Sequence, residues 1–172
     1  MCDSDKTIDR IKQMKAVHTQ ADLQEYAQNY YHFTNSIPQL ELLNSQLKGE
    51  LKIVTNSISF PEKFGLDIKS LLLSMHTITG KILSEKKNMT IEEIRNTALE
   101  LFARKNADYG DAFAEYGLLG VIVRIGDKVF RLKTLTENNT KTLQVKEESI
   151  NDTLEDLFNY SAMAVMLYNS KE

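Results

Sequence analysis

Apolar residues along this chain recur every three or four positions in block after block, the spacing that lines up one face of an α-helix. Ile8, Ile11, Met14 and Val17 begin the pattern. Leu23, Tyr26, Ala27, Tyr30 and Tyr31 carry it on, predicting one or two helices over residues 5–33. The tyrosines of this stretch are read as packing residues. Ser36 and Pro38 form a helix-start signal. After it, Ile37, Leu40, Leu43, Leu47, Leu51 and Val54 make a narrow apolar seam, expected to pack on another helix or on a second chain. Gly49 weakens the helix locally. The segment SFPEKFGLD, 59–67, holds Pro61 and Gly65 and is the expected boundary. It divides a helical extension, 1–66, suited to oligomerisation, from a helical domain, 67–172.

Beyond the boundary a helix is predicted from Asp67 to Ser84, closed by Lys86, Lys87 and Asn88. Thr90 with Glu93 is a capping box, opening a helix through Ile94, Ala98, Leu101 and Phe102. That helix is expected to end at ARKNADYGDAF, 103–113, where ionic and hydrogen-bonding groups crowd together. The stretch GLLGVIVRIGDKVFRL, 117–132, is apolar on every side and predicts a buried helix over 118–136. A polar loop, TENNTKTLQV, leads to a last helix over 147–169. The expected fold is all-α, a bundle of about six helices.

Composition sharpens this in a few places. Two prolines and seven glycines in 172 residues are too few for the turns of an all-β fold. A formal net charge of −3 carries no basic nucleic-acid footprint. The lone cysteine, Cys2, cannot form an internal disulfide. No apolar run reaches the length of a membrane span, and MCDSDKTIDR lacks the apolar core of a signal peptide. The expected setting is soluble and cytoplasmic.

Candidate chemistry lies in two charged stripes. Arg124, Asp127, Lys128 and Arg131 share one face of the helix over 118–136; Glu148, Asp152, Glu155 and Asp156 share a face of the last helix. Charges on buried elements must be paired or bind something. One reading is a ladder of ion pairs, Arg124 and Arg131 with Asp152 and Asp156. The other makes the carboxylates ligands of Mg²⁺ and gives phosphates to the Arg and Lys side chains. Lys105 would then add a phosphate contact, and Asn106, Asp108 and Tyr109 would meet a base, a sugar or metal-bound water. His18, His32 and His76 are scattered and suggest no zinc site. No glycine-rich phosphate loop and no nucleophile elbow is present.

The blocks KNADYGDAF, GLLGVIVRIGDKVFRL and ESINDTLEDLFNYSAMA resemble the nucleotide-modification-associated domain 1 family, over about residues 90–169. Its members occur in bacteria and phages. Its layout is similar to that of the all-α nucleoside triphosphate pyrophosphatases of MazG and dimeric dUTPase type. Those enzymes carry E-x-x-E and E-x-x-D pairs on adjacent helices, bind Mg²⁺ and release pyrophosphate from a nucleotide. Here Asp152-x-x-Glu155, with Asp156 and Glu148, matches one pair; the preceding helix offers only Asp127, with Lys128 and Arg131 where more acid is expected. The resemblance implies a Mg²⁺-dependent pyrophosphohydrolase acting on a ribo- or deoxynucleoside triphosphate, the nucleotide-binding domain being 67–172. Asp127, Glu148, Asp152 and Asp156 would hold metal, and Asp127, Asp152 and Glu155 would serve catalysis. Lys105, Arg124, Lys128 and Arg131 would hold phosphates, and Asn106, Asp108 and Tyr109 the nucleoside. It also implies a homo-oligomer. Binding without cleavage, as a sensor or sequestering protein, is the first alternative; a purely structural interaction module is the second.

Overall fold

Six α-helices follow one another, with no strand, in a computed structural model that describes residues 3–28, 37–56, 61–137 and 150–170. They are α1 (Asp3–Gln28), α2 (Ile37–Asn56), α3 (Pro61–Lys87), α4 (Ile91–Tyr109), α5 (Gly117–Glu137) and α6 (Ile150–Asn169). A 3-10 turn, Ala112–Ala114, sits between α4 and α5. Side chains are described over 5–21, 37–49, 68–136 and 150–170. The all-α bundle expected from the apolar spacing is therefore what the chain forms. No helix among the described residues is long and apolar enough to cross a membrane.

Helix α6 is the axis of the bundle. From Leu157 to Leu167 every residue except Tyr160 is buried, so neighbours surround it: α3 and α5 most extensively, with α1 and α4 completing the shell. The sequence placed the buried helix at α5. The structure corrects this: Leu119, Val123 and Phe130 of α5 are exposed, and only Leu118, Val121, Ile122, Ile125, Val129 and Leu132 face inward. Apolar residues on every side mark α5 as compatible with burial, but only one face finds partners, α6 and α2. The inner residues of all six helices join one core.

Helix α2 docks on α3 and α5. Leu40, Leu43 and Leu47 of its seam are buried in the core and Ile37 packs against its edge; Leu51 and Val54 lie outside the described side chains. Helix α3 begins at Pro61, six residues before the predicted start, and runs through Gly65. Proline suits a first helical turn, because its missing N–H would have no partner there. The expected break at 59–67 is thus partly helix, and its first residues, 59 and 60, lie outside the described ones. At the other end Asn88 takes a left-handed φ of 51°, and its N–H and that of Met89 close on the Glu85 and Ser84 carbonyls.

The capping box forms as expected. The Thr90 hydroxyl accepts from the Glu93 N–H at 3.2 Å, and the Glu93 carboxylate accepts from the Thr90 N–H at 2.8 Å. These hydrogen bonds hold the Glu93 carboxyl below its ordinary value. Helix α4 then continues through Tyr109, beyond the predicted end. Nothing in ARKNADY breaks a helix; Gly110, with φ of 61°, is the first residue that does.

A buried polar thread joins α1, α3 and α6. His76 of α3 lies within 3.0 Å of the Phe158 carbonyl through Nδ1 and 2.9 Å of His18 Nδ1 through Nε2. A carbonyl only accepts, so His76 Nδ1 carries the proton and Nε2 is the acceptor. His18 Nδ1 must then donate to it. The Ser161 hydroxyl donates to the same carbonyl at 2.9 Å. The Phe158 ring stacks on His76 at 3.9 Å. Burial first, and then the adjacent His18, hold the His76 imidazole well below its ordinary 6.5, so it is neutral.

Candidate functional site

The end of α4, the 3-10 turn and the start of α5 form a corner over α6. Gly110 and Gly117 both take positive φ, 61° and 62°, and so let the chain leave α4 and enter α5 sharply. The Gly110 N–H donates to the Asn106 carbonyl at 2.8 Å. Helix α1 pins the corner from outside. Arg10 donates to both oxygens of Asp111, at 3.2 Å through Nε and 3.1 Å through Nη2, and its guanidinium lies 5.3 Å from the centre of the Phe113 ring. The fork of donors matches the carboxylate, so the pair fixes orientation as well as charge. Phe113 in turn meets Phe102 edge-to-face at 5.8 Å.

Within this corner lies a cleft of about 330 Å³, a size that suits a small organic ligand. Phe102, Phe113, Val121 and Met163 give it apolar walls. Tyr109 and Tyr116 stand at its rim, 74% and 83% exposed, and Tyr160 reaches it from α6. Lys105 and Arg124 supply positive charge, and Asn106 lines it as a buried amide. Among the described residues no Asp or Glu lines it. The arrangement favours a ligand with a flat apolar body and an anionic end.

Carboxylates lie just outside. Asp156 of α6 accepts from Lys105 of α4 at 3.1 Å and from Lys128 of α5 at 2.9 Å. Glu155, its neighbour, pairs with Lys87 at the end of α3. The sequence-predicted groups therefore divide. Lys105, Asn106, Tyr109 and Arg124 gather in the cleft, while Lys128 and Asp156 meet beside it. Asp108, Asp127 and Asp152 are exposed, Arg131 is half-buried, and Glu148 lies outside the described residues.

Among the described residues no three of His, Cys, Asp and Glu come close enough to hold one metal ion. The donor set shown does not fit a preassembled Mg²⁺ site, because Asp156 and Glu155 are each engaged by lysine. Mg²⁺ commonly needs only one or two carboxylates when substrate phosphates complete its shell, and Asp156 is linked to the cleft through Lys105.

Sequence reasoning gave no role to Arg10, Tyr116, Tyr160 or Met163, and placed Asp111 and Phe113 in the crowded stretch without a partner. Arg10 and Asp111 are separated by 101 positions, and no local pattern joins them. Tyr160 was read as part of the apolar face of its helix, and Tyr116 carried no signal beyond lying beside the crowded stretch.

Residues 105–167 match the model of the family described as nucleotide modification associated domain 1. The matched segment begins at Lys105 and takes in the rest of the corner, α5 and most of α6. No curated protein and no solved structure matches the chain.

Proposed function

We propose that this chain binds a nucleotide in the cleft between α4, α5 and α6. The base lies among Phe102, Phe113, Tyr109 and Tyr116, and the phosphates meet Lys105 and Arg124. One observation carries this reading: an aromatic-walled cleft with cations and, among the described residues, no lining carboxylate, which apart from Phe102 lies inside the segment that matches a nucleotide-associated family. Stacking on aromatic faces is tolerant of base identity, and the cations suit phosphate. Titration calorimetry with a panel of ribo- and deoxynucleoside mono- and triphosphates, in Mg²⁺ and in EDTA, tests it. Saturable binding that survives EDTA is expected. Absence of heat or thermal shift with every nucleotide would refute it.

Hydrolysis to monophosphate and pyrophosphate is the second reading. It is the reaction that a likeness to the all-α pyrophosphatases would imply, with Mg²⁺ brought by the nucleotide. Asp156 favours it, since one Lys105 ammonium links this carboxylate to the cleft. Pyrophosphate release from the same panel, present with Mg²⁺ and absent in EDTA, would establish it over binding alone.

A further inference from the structure

The outer face of α5 carries an apolar stripe. Leu119, Val123 and Phe130 are 55%, 56% and 57% exposed, and steps of four and seven residues put them on one side of the helix. Tyr116 extends the line, lying so close to Gly120 that a Cβ there would be 2.7 Å from its own. Single exposed apolar residues are ordinary, whereas a run of them along one helix face marks a contact surface. The seam of α2, expected to pack on another helix or on a second chain, is buried inside the fold at Leu40, Leu43 and Leu47. Arg124 and Asp127 flank the stripe on α5. Both are exposed, and neither takes part in an ion pair among the described residues.

We infer that this face of α5 pairs with the same face of a second copy of the chain, the two helices running antiparallel about a two-fold axis. The charges choose the partner. Under such an axis every contact is made twice, reciprocally. An axis midway between Leu119 and Phe130 sets Leu119 of each copy against Phe130 of the other and brings Val123 near the centre. At a rise of about 1.5 Å per residue, it also places Arg124 of each copy roughly 3 Å, along the helix, from Asp127 of the other. One helix face thus supplies both halves of two ion pairs. A purely apolar partner would cover Asp127 without giving it a cation, which is costly; a second copy supplies one. Lys48 of α2 lies 4.5 Å over the Phe130 ring, and the exposed remainder of that ring is open to the partner. Tyr116 and Arg124 also line the cleft, so the second copy stands beside its mouth. The five N–H donors of an arginine suffice for a carboxylate and a bound anion together. The pairing does not rest on the nucleotide reading.

Analytical ultracentrifugation of the full chain, from about 1 to 100 µM, tests this. A dimer is expected. Val123→Glu sets two carboxylates near the centre of the contact and raises the dissociation constant by about a hundredfold or more. Helix content by circular dichroism stays unchanged, because the side chain is exposed in the single copy. Arg124→Glu and Asp127→Arg each weaken the dimer, since like charges then face one another. Both exchanges in one chain restore it, a rescue that requires the face to pair with itself. A wild-type chain that stays monomeric over that range overturns the assignment. A dimer indifferent to Val123→Glu uses another face and overturns it too. Failure of the doubly exchanged chain, folded, to regain the dimer does the same.

Discussion

At the scale of single residues, Asp156 separates the two functional readings. It is shared by Lys105 and Lys128, so its charge competes with any phosphate for the same ammonium groups. If the cleft only binds, Asp156→Asn removes the carboxylate that competes with the anion for the Lys105 ammonium. Triphosphate affinity then rises, by up to about fivefold, given that such partly exposed pairs contribute about 0–1 kcal/mol. If the protein hydrolyses through a metal held near α6, the same substitution abolishes pyrophosphate release. Calorimetry and a phosphate-release assay on one protein sample distinguish these outcomes. The sequence made part of this site legible. The crowding of Lys105, Asn106 and Tyr109 in a helical chain pointed to the cleft, since a short connector has no need of so many polar groups. Arg10 stayed hidden, because its contact with Asp111 across 101 residues leaves no trace in local spacing.

At the scale of elements, burial depends on neighbours. Helices α5 and α6 are both rich in apolar residues, yet α6 takes the centre and α5 keeps an exposed face. The exposed charges Arg124 and Asp127 mark α5 as the outer of the two, while every residue but Tyr160 from Leu157 to Leu167 is buried in α6. The packing of α3 on α6 is close enough to test by one methyl group. A Cβ at Gly80 would lie 2.9 Å from the Phe158 ring, which is itself stacked on His76 at 3.9 Å and has little room to retreat. Alanine gains up to about 1 kcal/mol in helix propensity, whereas overpacking a core costs about 1–3 kcal/mol. Gly80→Ala is therefore expected to destabilise the fold by about 1–2 kcal/mol, read as a lower urea midpoint. An unchanged or higher midpoint would mean that the α3–α6 contact yields.

At the scale of the whole molecule, the buried His76 ties stability to pH. His76 is held neutral in the fold but takes up a proton once unfolded, at its ordinary 6.5. The unfolded state therefore binds more protons below that value, and stability falls as pH falls. The groups acting on His76 are the burial itself, His18 from α1 and Arg95 from α4, all opposing its charge, against the Phe158 carbonyl, which favours it. Stability contributed by the neutral ring is fully present above pH 6.5 and is lost below it, by about 1.4 kcal/mol per pH unit. Urea denaturation between pH 7.5 and 5.0, above most carboxylate titration, is expected to show this slope; a flat profile to pH 5.0 would contradict it. Nothing in the sequence announced the effect. His18 and His76 stand 58 positions apart and show no ligand spacing, and only the docking of α1 against α3 brings them together.

That thread of rings has a spectroscopic consequence. Its two imidazole protons, on His18 Nδ1 and His76 Nδ1, each lie in a hydrogen bond of ordinary length, 2.9 Å and 3.0 Å, away from solvent. Both should therefore give slowly exchanging resonances far downfield in a proton NMR spectrum, with a cross-peak between them. The His18 signal exists only while α1 rests on α3, and α1 is the helix whose Arg10 braces the cleft corner. A chemical group deep in the core thus serves as a native label for the seating of α1, against which ligands and variants of the distant corner can be followed without adding a probe.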